Sequence, residues 1–147
     1  MSDFTGCCMC GAVNFSITAP TLFFAHCHCQ YCREAHGAAF VSWVGAAEER
    51  FRLLSGSHEP RWYQSSRQSR RGFCDNCGTT LFFASTLCPG EMHVTRASMP
   101  GPIDREPQCH VFYDQRVAWI EGADKLPHYT SDEPGLGKFK SVRGKKV

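Results

Sequence analysis

The sequence predicts a mainly β fold, built of small twisted antiparallel sheets cross-linked by metal. Three observations predict it. Short segments alternate apolar and polar residues or are rich in aromatic and β-branched ones. No run sustains the i, i+3, i+4, i+7 stripe of an amphipathic helix. Ten cysteines fall largely into close groups at metal-ligand spacing.

The elements follow in order. Residues 12–18 (AVNFSIT) put Val13, Phe15 and Ile17 on one face of a strand that Pro20 ends. Further strands are expected at 40–44 (FVSWV), 51–54 (FRLL), 61–64 (RWYQ), 79–83 (TTLFF), 91–95 (EMHVT) and 109–113 (CHVFY). Helix is expected only as a turn or two at 32–39 and a shorter turn at 46–50. The 13 glycines and 8 prolines punctuate the strands throughout.

A chain of 147 residues with 42% hydrophobic and 20% charged residues suits one globular domain and excludes a disordered chain or a fibre. The domain is expected over 1–135. Residues 136–147 hold Lys138, Lys140, Arg143, Lys145 and Lys146 with no acid, so the basic character is a solvated tail rather than a face. That distribution argues against a nucleic-acid partner. No run of 18 apolar residues predicts a membrane span. Asp3, with the polar Thr5, Asn14 and Ser16, is unlike a signal peptide, and a cytoplasmic location is expected.

The cysteines carry the chemistry. A disulfide framework would need an oxidising compartment and would leave neighbours too close to bridge easily. Cys74-Asp75-Asn76-Cys77 has the spacing at which one tight turn presents two thiolates to zinc, and Gly78 can take the positive φ such a turn uses. Cys8 and Cys10, two apart on an extended strand, would face one side and chelate as a second pair. Cys7 and Cys10 are a rival pair by the same spacing rule. Either choice closes a four-cysteine structural site whose binding free energy, roughly 10 to 16 kcal/mol for structural zinc, becomes folding free energy.

Cys27, Cys29 and Cys32 supply three thiolates from six residues without an obvious fourth. His26, His28 and His36 are nearby candidates. Three ligands with an open position make a catalytic zinc site, four a structural one, and spacing leaves both open. A redox pair of Cys29 and Cys32 would call for a strand-helix alternation that the chain lacks.

The motifs Gly6-Cys7-Cys8-Met9-Cys10-Gly11-Ala12, Cys27 through Arg33, Phe73-Cys74-Asp75-Asn76-Cys77-Gly78-Thr79 and His110-Val111-Phe112, followed by Trp119 and Leu126-Pro127, resemble in order those of the glutathione-dependent formaldehyde-activating enzyme family. Its domain also occurs in the centromere protein V group. The resemblance implies a β-tent fold, similar to a Rab-binding zinc chaperone, and two zinc ions per chain. It implies that Cys8, Cys10, Cys74 and Cys77 hold a structural zinc, favouring Cys8 over Cys7. It implies that Cys27, Cys29 and Cys32 hold a catalytic one. The implied activity is that of a carbon-sulfur lyase, S-(hydroxymethyl)glutathione synthase-like, with glutathione or a similar thiol and formaldehyde or a related small aldehyde as substrates. Cys7, Cys88 and Cys109 receive no role from it.

Two other readings compete: a non-catalytic zinc-binding interaction module, and a thiol redox or metal-handling protein. Arg33 is open to two roles, anchoring a substrate carboxylate or lying on the surface. Arg67, Arg70 and Arg71 could bind an anion or line a solvated hairpin. His110 reads as a hydrogen-bonded structural residue. Trp43, Trp62 and Trp119 are expected in the core or a pocket wall.

Overall fold

Alternation along the second strand sets the core. Phe15 and Ile17 are fully buried, and the strand carrying them, β2 (Asn14–Thr18), pairs antiparallel with β1 (Asp3–Cys7) on one side. On the other side it pairs with β5 (Phe51–Leu53). The computed structural model describes residues 2–120 together with Pro127 and Pro134. Among them the strands form this three-stranded sheet and a seven-stranded one.

The larger sheet contains β3 (Phe23–Cys27), β4 (Val41–Ala47), β6 (Arg61–Gln64), β7 (Ser69–Phe73), β8 (Thr80–Ser85), β9 (Glu91–Thr95) and β10 (Cys109–Val111). Their order is β10-β3-β4-β9-β8-β7-β6. All neighbours are antiparallel except β10, which runs parallel to β3 with His110 opposite His26. Gln108 pins that parallel edge, donating its N–H to the Phe24 carbonyl and accepting the Phe24 N–H at its side-chain oxygen.

The two sheets share a core. Phe15 meets Phe82 of β8 edge-on at 5.1 Å, and Phe51 meets Phe82 at 5.2 Å. Val13, Val44, Leu81, Val94 and Met99 complete it, fully or almost fully buried. Each such side chain contributes about 1.5–3 kcal/mol through burial. A second, smaller cluster of Cys27, Cys32, Val41 and Trp43 lies on the other part of the large sheet. The mainly β expectation therefore holds, with one parallel pair added to the antiparallel sheets.

One helix, α1 (Gln30–His36), follows β3 directly. Cys29 caps it, its Sγ accepting the Cys32 N–H at 3.3 Å, and Gly37 ends it in the left-handed region at φ 59°. Cys8 and Cys10 correct the extended-strand expectation. They follow the end of β1 in a turn, closed by a 3.0 Å bond from the Gly11 N–H to the Cys8 carbonyl, with Gly11 at φ 78°. The expected turn at 46–50 is a single 3-10 turn at Glu48–Arg50, because β4 continues to Ala47 between two partners.

The chain divides into two compact units, Met1–Arg116 and Val117–Val147. In the second, Ala118–Ile120 forms a 3-10 turn, and Trp119 is exposed rather than in a core or pocket wall. Leu126 and the basic stretch 136–147 lie outside the described residues. Among the described residues no helix is long and apolar enough to cross a membrane.

Candidate metal centres

Two glycine-closed turns bring four thiols together. The first carries Cys8 and Cys10. The second, after β7, carries Cys74 and Cys77 and is closed by a 2.7 Å bond from the Gly78 N–H to the Cys74 carbonyl, with Gly78 also at φ 78°. A Cβ at either glycine would be strained in this backbone. The four Sγ atoms lie within 4.8 Å of one another. Cys8 and Cys10 are 3.5 Å apart, Cys10 and Cys74 3.8 Å. Thiolates in a tetrahedron at about 2.3 Å from zinc sit about 3.8 Å from each other, so the donor set and its spacing fit that ion.

Donors around the sulfurs favour bound thiolates. Asn76 Nδ2 donates to Cys10 at 3.2 Å and is the main cause of that thiol's lowered pKa. The Val13 N–H donates to Cys8 at 3.2 Å, yet burial still pushes Cys8 up. Burial also raises Cys74, to about 12, against the Asn76 and Cys77 N–H groups. At Cys77 burial opposes the shift, but the Thr79 hydroxyl at 3.1 Å and the Thr79 N–H bring the thiol down to about 6. Cys7 points elsewhere, exposed at the end of β1.

The second group is built where β3 meets α1. Cys27 ends the strand, Cys29 caps the helix and Cys32 lies in its first turn, so three thiols converge within 4.8 Å. Cys27 and Cys32 are buried and Cys29 is partly exposed. The proton is shared unequally. Hydrogen bonding to Cys29 and Cys32 holds Cys27 protonated, while hydrogen bonds from Cys27, Cys29 and Trp43 with the Arg71 charge bring Cys32 down to about 2.

These thiols line a cavity of about 790 Å³, together with Arg71, Trp43 and Phe83. That volume lies in the range of roughly 300–1,000 Å³ usual for small-molecule sites. Arg71 is buried in β7, with Nη1 and Nη2 at 3.7 and 3.6 Å from Cys32 Sγ and its guanidinium over the Phe83 ring at 5.1 Å. Its Nε is buried with no hydrogen-bond partner. Arg70, on the opposite face of the strand, stacks on Trp62 at 4.2 Å.

Two of the histidines proposed as a fourth ligand, His26 and His28, are occupied elsewhere, while the His36 Nε2 is buried without a hydrogen-bond partner. His26 Nδ1 is 2.8 Å from Ser42 Oγ, and His28 Nε2 is 2.8 Å from His110 Nδ1. Burial first, and the neighbouring His110 next, lower both imidazoles. His36 packs edge-on against Trp43 at 5.2 Å. Among the described residues no histidine joins the three thiols. His110 is the hydrogen-bonded residue expected, and Trp43 the pocket wall. Arg33 Nε donates to the His28 carbonyl at 3.1 Å, bracing the Cys27–Cys29 turn, while its side chain also lines the cavity.

Sequence reasoning missed the distinction of Arg71 from its neighbours. The signal available was the period of two in β7, which puts Arg70 and Arg71 on opposite faces.

A sequence model of the family described as glutathione-dependent formaldehyde-activating enzyme matches residues 3–115. An uncharacterized lyase of Schizosaccharomyces pombe is 26% identical over 133 residues, which is 90% of this chain and 95% of that protein. The crystal structure of a Rhodobacter sphaeroides protein superposes with a TM-score of 0.57 at 24% identity, covering 70% of this chain and 97% of that one, a likeness of fold.

Proposed function

The chain belongs to the glutathione-dependent formaldehyde-activating enzyme family, and from that premise we propose that it is a zinc-dependent carbon-sulfur lyase acting on a glutathione-type thiol and formaldehyde or a related small aldehyde. The observation that carries the reading is the contrast between the two cysteine groups. One gathers four thiols with Cys8 and Cys74 fully buried; the other gathers three at the wall of a cavity. Four ligands suit a structural ion, and three leave a position for substrate. In this reading Cys8, Cys10, Cys74 and Cys77 hold the structural zinc and Cys27, Cys29 and Cys32 the catalytic one.

When bound at the three-thiol group, zinc supplies an open coordination position and the charge that keeps a substrate thiol ionised at neutral pH. The chain's own residues do the rest. Cys29, tied to the Cys32 N–H, fixes the spacing of the trio. Arg71 sets a permanent positive charge beside Cys32, offsetting the net −1 of a zinc held by three thiolates. Trp43 and Phe83 wall the cavity and limit water around the sulfurs. The reacting thiol and aldehyde are then held together, which replaces an encounter in solution by a unimolecular step.

The same reading takes the fold as a β-tent and residues 1–135 as its single domain, with 136–147 a solubilising tail. Ten free cysteines suit a reducing compartment, and the cytoplasm is the proposed location. A cavity opening onto three thiols favours an enzyme over a zinc module that only binds a partner.

Thiols add to formaldehyde without help, so the test must measure exchange rather than product. Magnetisation-exchange NMR between glutathione and its hydroxymethyl adduct should show faster interconversion with protein carrying two zinc per chain by elemental analysis. An exchange rate equal to that of buffer at that zinc content would overturn the proposal.

A further inference from the structure

Cys88, Glu91 and His93 lie outside both cysteine groups and outside the proposed chemistry. We propose that they form a third divalent-cation site, suited to zinc. The Cys88 Sγ, a carboxylate oxygen of Glu91 and a ring nitrogen of His93 all lie within 4.8 Å of one another.

Each donor is brought there by local structure. Glu91 and His93 stand two apart on β9 and so share a face, with His93 Nε2 2.7 Å from Glu91 Oε2. Cys88 comes from the turn between β8 and β9, held by bonds from its own N–H to the Ser85 carbonyl and from the Leu87 N–H to Ser85 Oγ, both 3.2 Å. The far end of that turn is tied down where the Gly90 carbonyl accepts the Glu48 N–H at 2.8 Å.

The imidazole is oriented before any ion arrives. Its ring stacks on Phe83 with centroids 5.4 Å apart and meets the Phe23 ring edge-on at 4.8 Å. Such preorganisation lowers the entropy cost of binding. The Glu91 and His93 side chains are 33% and 14% exposed, so an ion can enter without unfolding the turn.

The donor chemistry selects the ion. One thiolate, one imidazole and one carboxylate match zinc and its borderline-soft neighbours, whereas calcium and magnesium take oxygen ligands almost alone. On binding, the hydrogen bond between His93 Nε2 and Glu91 Oε2 opens, its proton passing to the other ring nitrogen or to solvent. The Cys88 thiol gives its proton to solvent, and the two anionic ligands balance the dication to net zero. That is one charge more positive than the three-thiolate group. Three protein ligands leave a coordination position open. His93 and Leu87 also line the 790 Å³ cavity, so the site stands on the wall of the chamber that holds Cys27, Cys29 and Cys32.

The full chain, carrying whatever zinc the two cysteine groups hold, can be titrated with Zn²⁺ by calorimetry in a phosphine reductant. The expected result is one further equivalent in the wild type that is missing from Cys88→Ser and from His93→Gln. Co²⁺ in place of Zn²⁺ should give more thiolate charge-transfer intensity in the wild type than in Cys88→Ser. Should circular dichroism show Cys88→Ser misfolded, Glu91→Gln serves instead, with affinity lower by at least about tenfold. Equal zinc stoichiometry in the wild type and Cys88→Ser, or unchanged affinity in Glu91→Gln, overturns the proposal and leaves Glu91 and His93 as a hydrogen-bonded pair. Because the readout is a difference between variants at this group, it is independent of whether the lyase reading stands.

Discussion

The guanidinium of Arg71 lies 3.6 Å from the Cys32 sulfur, across 39 positions of sequence and between two different elements, β7 and α1. A buried charge persists only with a partner, and the partner here is the Cys32 sulfur, whose thiol is held down by hydrogen bonds from Cys27 and Cys29 and by this guanidinium. Arg71→Met keeps much of the bulk and removes the charge. Zinc at the three-thiol group should then be held about 10- to 100-fold less tightly, read by competition with a chromophoric chelator, while the four-thiol group keeps its ion. Equal retention in the two proteins would show that the arginine does not stabilise the site.

Cys29→Ser separates catalysis from folding at the same site. Serine is among the best helix-capping residues, so α1 keeps its cap and the thermal midpoint should stay within a few degrees of wild type. Thiol–aldehyde exchange should fall at least about 100-fold, beyond the range typical of a supporting residue. Full exchange activity in a folded Cys29→Ser protein would move the chemistry away from the trio.

Cys7 and Cys8 differ in exposure although they are adjacent. Cys8→Ser and Cys74→Ser should each cost roughly 3 kcal/mol or more in urea unfolding, through loss of a buried ligand of the four-thiol group. Cys7→Ser, at an exposed strand position, should change stability by no more than about 0.5 kcal/mol. The reverse order would make Cys7 the ligand.

His36 supplies an acid-sensitive element. Burial brings its imidazole down to about 4 from an ordinary 6.5; Arg71 pushes the same way and Cys32 the other. The neutral ring is the folded form, so the unfolded chain binds the extra proton. The group's contribution to stability is full above about pH 6.5 and is lost as pH falls toward about 4, in all about 3 kcal/mol. In His36→Phe, which can keep an aromatic contact with Trp43, the unfolding free energy should fall less between pH 7 and 4.5 than in wild type. Parallel pH profiles would rule the group out.

Much of the framework was legible because its causes are local. Strands β6 and β9 coincide with the segments 61–64 and 91–95, where aromatic and β-branched residues are concentrated. The cysteine groups were legible for the same reason, since ligand spacing within a turn is a property of a few residues. Three strands were not. β3 reads FFAHC, whose run of apolar residues gives no alternation, and β1 contains a glycine. β7 carries two adjacent arginines that suggest a solvated hairpin until tertiary pairing buries one of them. Continuation of β4 through Gly45, Ala46 and Ala47 likewise depends on β9 beyond the chain's local preference. The contact of Arg71 with Cys32 and the diversion of His28 to His110 depend on distant segments, which spacing does not report.

The two glycine-closed turns that meet at the four-thiol group are 64 positions apart between Cys10 and Cys74. During synthesis at about 5–20 residues per second the first turn leaves the ribosome several seconds before the second exists. For that interval Cys8 and Cys10 lack Cys74 and Cys77, the other two thiols of the proposed ligand set, and β4 lacks its β9 neighbour. The N-terminal half is therefore born as a reducing-environment dependent, whose sulfurs must escape oxidation until the rest of the chain arrives. Ribosome-arrested chains ending near residue 60 should have both thiols open to alkylation, and chains with residues 1–95 outside the exit tunnel should protect them when zinc is present.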